Sequence, residues 1–134
     1  MLKSILKAFL LILSGTGIKA STKSDLTSLE WKNRLVIVNI KKDDHKSMND
    51  IESWLKTHKC YNEEQNLKVI HFTDGENQYY QTPTYLNITG TWLIGYDGEI
   101  KAFSKQLDLL DQIHSLIDQM PIRKTEIQQQ KSRC

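Results

Sequence analysis

Two groups of residues in this chain could do chemistry, and neither falls in a recognised pattern. Sulfur is confined to Cys60 and Cys134, so no Cys-x-x-Cys pair can be drawn. A thiol that exchanges electrons or attacks a peroxide must work as its thiolate. The opening turn of a helix favours that form, because its dipole and free amides lower the pKa below the ordinary value of about 8.5. Carboxylates and an imidazole instead gather in Asp43-Asp44-His45, with His71 and Asp74 able to join them if two neighbouring strands end at one edge. Such a group could form an oxygen-and-nitrogen metal site or an acid–base pair. Adjacent Asp-Asp-His lacks the spacing of a metal motif, so the plainer reading is a solvated loop whose aspartates cap a helix. No metal and no cofactor is expected.

The elements that must position these residues can be read from hydrophobic periodicity. Arg34 to Ile40 is a continuous β-branched run, the pattern of a central strand covered on both faces. The charged loop Lys41 to Lys46 follows, and Ser47 is read as the cap of a helix from Asn49 to His58 with Met48, Ile51, Trp54 and Leu55 along its apolar stripe. Cys60 to Asn66 reads as a polar connection and Leu67 to Phe72 as a second strand, which makes a right-handed βαβ unit. Cys60 then lies past the far end of the first helix, where the dipole disfavours a thiolate. That favours a structural or incidental thiol over a catalytic one. Joining Cys60 to Cys134 would be worth roughly 4 kcal/mol on the chain-entropy model, but a polar tail imposes no Cα spacing and leaves the pairing open.

Thr73 to Asn87 is polar and irregular, and Tyr79, Tyr80 and Tyr85 within it are candidates for a contact surface, since long loops without a purpose are uncommon. Gly90 to Gly95 and Glu99 to Phe103 read as a hairpin turned at Asp97-Gly98. A last helix from Gln106 to Gln119 ends at Pro121. Trp31, Trp54 and Trp92 read as core anchors. The order β-α-β then β-β-α, with a four-stranded mixed sheet, is the minimal thioredoxin-like core of the α/β class. Ligands in this architecture sit at the carboxyl end of the first strand, which places Lys41 to Ser47 there. Lys32 and Arg123 are candidates for an anionic partner, set against the commoner arrangement in which Arg34 stacks or pairs locally and basic residues just past a helix end complement its dipole.

Residues 1–20 carry Lys3 and Lys7, an apolar run from Ala8 to Leu13 and small residues after it, the pattern of a secretory signal peptide. The run is shorter than the roughly 20 apolar residues a membrane span needs. The remaining roughly 115 residues suit one domain, read as 26–122, with 123–134 a polar tail. The expected location is therefore extracytoplasmic, with no transmembrane span after cleavage. Net charge is +2, from 18 basic and 16 acidic residues. With no dense basic stripe in the domain, nucleic acid is excluded as a partner class.

Three motifs in order carry a family resemblance: Trp31-Lys32-Asn33-Arg34 entering the first strand, Leu93-Ile94-Gly95-Tyr96-Asp97-Gly98-Glu99 at the hairpin, and Ile117-Asp118-Gln119-Met120-Pro121-Ile122-Arg123 at the end. Over about Leu26 to Glu126 the chain resembles the domain of unknown function numbered 4174. Relatives of that family occur in extracellular proteins such as equarin and sushi-repeat-containing proteins. The resemblance implies a thioredoxin-like fold and no established reaction. Tyr96 and Glu99 stand where the family usually has lysine and glycine, so a role tied to that lysine does not carry over.

These readings converge on an exported, non-redox module that binds an unknown protein or small molecule through Asp43, Asp44, His45, His71 and the loop tyrosines. The alternative is a thiol oxidoreductase or peroxidase that uses Cys60, with Cys134 as its resolving thiol.

Overall fold

The computed structural model describes residues 22–130 and 132–134, so the signal-peptide segment 1–20 lies outside the described residues. Strand β1 (Arg34–Ile40) has all seven residues buried. Its side chains alternate between two cores. Val36, Val38 and Ile40 join Ile51, Trp54, Leu93, Ile113 and Ile117 on one face, while Leu35 and Ile37 join Ile70, Phe72, Leu86 and Trp92 on the other. This double burial explains the apolar run Leu35 to Val38, because neither face of the strand meets water. Fully burying each such aliphatic side chain stabilises the fold by about 1.5–3 kcal/mol.

β1 pairs in parallel with β2 (Leu67–Thr73), with Val36 opposite Val69. On its other side it runs antiparallel to β3 (Gly90–Ile94), with Ile37 opposite Trp92. β4 (Ile100–Ser104) pairs antiparallel with β3 and completes a sheet of order β2-β1-β3-β4. The hairpin turns at Gly98, whose φ of +80° a side chain would strain. The result is an α/β protein with a four-stranded mixed sheet, compatible with a thioredoxin-like fold.

The helices depart from the sequence expectation in instructive ways. Helix α1 is His45–Thr57 rather than Asn49 to His58, and its cap is Asp44 rather than Ser47. Both residue types cap well; here Ser47 serves as the donor to Asp44. The expected polar connection contains a second short helix, α2 (Lys59–Glu64), with Cys60 in its first turn. The expected last helix is divided. Leu107–Gln112 is a 3₁₀ turn and Ile113–Asp118 is helix α3. Leu107, Leu110 and Ile113 recur every three residues, which suits the tighter winding; Ile113 and Ile117, four apart, suit the α form that follows. Pro121 closes this segment by holding Met120 in extended backbone, and it also opens helix α4 (Pro121–Gln129) from its first turn.

Irregular chain covers the second face of the sheet. Leu26 and Leu29, from the 3₁₀ turn Leu26–Leu29, pack there with Tyr80 and Tyr85. Tyr85 lies 5.9 Å from Trp92, which in turn contacts Phe103 at 4.9 Å between ring centroids. Asn39 secures this cover from below, donating to the Ile88 carbonyl at 2.8 Å and accepting from the Gly75 amide at 2.9 Å. Trp54 and Trp92 are core residues as expected. Trp31 is not: it is 68% exposed, with φ of +62°. Its amide donates to the Tyr96 carbonyl at 2.8 Å, and that bond holds the backbone in a turn that carries the indole outward.

Candidate functional site

The carboxyl ends of β1 and β2 are laced together by one backbone and one side-chain hydrogen bond. The Asp74 amide donates to the Ile40 carbonyl at 2.8 Å, and the Asp74 carboxylate accepts from the Lys42 amide at 3.3 Å. From this edge the chain turns through Asp43 into α1. The Asp44 carboxylate accepts from the Ser47 amide at 3.0 Å and from the Ser47 hydroxyl at 2.7 Å. These bonds, the hydroxyl's first, hold the Asp44 carboxyl below the ordinary aspartate range. A negative charge therefore already sits on the opening turn of α1. That is where a catalytic thiolate would draw its stabilisation.

Asp43 is exposed, and its carbonyl accepts from the His45 amide at 3.0 Å. His45 begins α1 and faces water. Beside them lies a cleft of about 520 Å³ between the start of α1 and the segments Thr89-Gly90 and Lys105 to Asp108. Its acids are engaged: Asp44 in the cap, Asp50 with Lys46 at 3.5 Å, and Asp108 with the Ser104 hydroxyl. Among the described residues Lys41 and Lys105 have no ion-pair partner. The three lysines that line the cleft, Lys41, Lys46 and Lys105, are matched by Asp44, Asp50 and Asp108, and no thiol lines it.

The other sequence candidates are scattered. His71 lies within β2 on the same side as Leu67 and Val69, half-buried, with Nε2 lacking a partner. Burial pushes its pKa down and Glu52 partly opposes this. Among the described residues no three His, Cys, Asp or Glu side chains come together to hold a metal. Tyr79 is 67% exposed. Tyr80 packs against the second core and lies under the Lys68 ammonium, 5.5 Å from ring centroid to nitrogen. Tyr85 is half-buried, and burial raises its pKa.

The family motifs meet at the amino end of β1, where local pairing was the commoner expectation for Arg34 and Arg123. Arg34 is 1% exposed. It donates to the Gln65 carbonyl at 2.7 Å and to Glu126 at 2.6 Å, and it stacks on Tyr96 at 4.3 Å from the ring centroid. Arg123 is buried as well, bonded to Asp118 at 3.2 Å and to the carbonyl and carboxylate of Glu64 at 3.3 and 3.4 Å. Both arginines therefore pair locally. Nearby, Cys60 is joined to Cys134 across 74 residues, with Cα atoms 5.8 Å apart. The only signal for the polar clamp was the placing of an arginine in each terminal motif.

A family model described as Domain of unknown function (DUF4174) matches residues 25–126, from before the first 3₁₀ turn into α4. No curated protein matches the chain. Among the described residues no helix is long and apolar enough to cross a membrane.

Proposed function

The chain belongs to that family, and on this premise we propose that it is an exported, thioredoxin-like module that works by binding rather than by electron exchange. Its partner, a protein or a small molecule, sits at the carboxyl edge of the sheet, against Asp43, Asp44 and His45. One observation supports this above the others: the opening turn of α1 is capped by the Asp44 carboxylate and holds no sulfur. The Cys60–Cys134 bridge agrees with an oxidising, extracytoplasmic setting, where disulfides persist.

A second reading draws on the same bridge. Both cysteines are exposed, so a thiol oxidoreductase or peroxidase using Cys60, with Cys134 resolving, remains the competing function. A peroxide-consumption assay of wild type against Cys60→Ser separates the two. The binding reading expects background rates from both proteins. Robust wild-type turnover that disappears in Cys60→Ser would replace it with the enzyme.

A further inference from the structure

The last helix is attached to the domain in an unusual way. α4 has nine residues, below the roughly 12–15 at which even favourable isolated helices become stable in water. Its buried residue is Arg123, while Ile122 and Ile127 are 48% and 47% exposed. No α4 residue belongs to either hydrophobic core. Apolar burial, the usual source of helix stability in a protein, is therefore small here. What holds α4 is polar and covalent: Glu126 on Arg34, Arg123 on Asp118 and Glu64, Ser132 on Glu64 at 3.2 Å, and the Cys60–Cys134 bond. Ion pairs of buried groups lose much of their attraction to desolvation, which leaves the covalent tie as the decisive restraint.

We propose that the Cys60–Cys134 disulfide is a redox-set latch: oxidised, it keeps α4 docked over Arg34, and reduced by a dithiol, it lets α4 leave while the sheet stays folded. Both sulfurs belong to exposed residues, so an external thiolate can reach them. The reductant's first thiolate attacks one sulfur, the S–S bond breaks, and the other cysteine leaves as a thiolate and takes up a proton. The reductant's second thiol then displaces the mixed disulfide. The dithiol ends as a disulfide, and Cys60 and Cys134 end as two thiols. Release of α4 removes Glu126 from the Arg34 guanidinium and takes away one wall of a cavity of about 200 Å³, formed by Trp31, Tyr96 and Lys101 against Met120, Pro121 and Ile122. The cleft at the carboxyl edge of the sheet shares none of these residues, so the latch stands whether or not that edge is the binding site.

Amide hydrogen exchange on the full chain tests this, with the oxidised protein compared before and after treatment with dithiothreitol and thiol content read in parallel. Protection of amides 124–130 should fall by about tenfold or more on reduction while that of Val36 to Val38 is retained. Cys134→Ser should reproduce the reduced pattern without reductant; if that variant does not fold, the treated wild type decides alone. The latch is refuted if both thiols titrate and 124–130 stay protected, if the bridge resists dithiothreitol under native conditions, or if β1 loses protection together with α4.

Discussion

Arg34, the first residue of the central strand, donates to Glu126 of the last helix at 2.6 Å, 92 positions along the chain. The guanidinium is buried and the carboxylate is about three-quarters covered. Removing one partner from such a pair leaves the other desolvated, at a cost of about 3–5 kcal/mol where burial is complete. Arg34→Ala should approach that figure in urea unfolding. Glu126→Ala should cost less, because Arg34 keeps the Gln65 carbonyl and the Tyr96 ring. The double variant Arg34→Met, Glu126→Leu should recover much of the loss, since replacing a buried pair by well-packed apolar groups is often nearly neutral.

The three tryptophans should separate cleanly. Trp92 is 4% exposed and sits between Tyr85 and Phe103, so Trp92→Ala should cost about 3–5 kcal/mol. Trp31 holds a positive φ in solvent. Trp31→Gly should be neutral or stabilise by up to about 1 kcal/mol, because glycine adopts that backbone without strain. Thermal or urea midpoints of the two variants check both statements.

The tyrosine loop acts as the second layer of the fold, so its residues should differ in the same assay. Tyr79→Ala should change stability by no more than about 0.5 kcal/mol, as expected for a surface site. Tyr85→Ala removes a ring packed on Trp92 and should be clearly destabilising.

Acid should weaken the fold before the carboxylates titrate. Burial lowers the pKa of His114, helped by His58, and burial also lowers that of His71. The unfolded chain then binds more protons than the native one just below the ordinary histidine value of about 6.5. Stability from these groups is complete above that pH and declines as pH falls toward the lowered native values. His114 stacks on Trp54 and bonds Asn62 at 2.7 Å. Urea midpoints should fall from pH 7.5 to pH 5, and His114→Gln together with His71→Gln should flatten that slope.

What could be read from the sequence depended on how local the determining contacts are. β1 was plain because seven consecutive residues share one burial state. The start of α1 was misplaced by four residues because Asp44 and Ser47 are both good caps, and only the hydrogen bonds decide between them. The layer over the second face left no periodic trace, since Leu26, Leu29, Tyr80 and Tyr85 come from two separate irregular segments. The disulfide, the Arg34–Glu126 pair and the Arg123–Glu64 pair join positions 59 to 92 residues apart, and no local pattern encodes them. At the candidate site the absence of a sulfur and the capping of a helix by the loop aspartates were legible; that Asp44 alone is the cap, bonded by Ser47, was not.

The functional account rests on the Asp44 carboxylate being bound to the first turn of α1, and its titration measures this directly. Because the folded pKa is depressed, its contribution to stability is present above the ordinary aspartate value and lost as pH falls through the lowered one. Carbon-detected NMR of the Asp44 carboxyl should show a midpoint below the ordinary value of about 3.9, moving upward in Ser47→Ala. A midpoint at or above the ordinary value, unchanged by Ser47→Ala, would mean that the opening turn is unoccupied and would contradict the account.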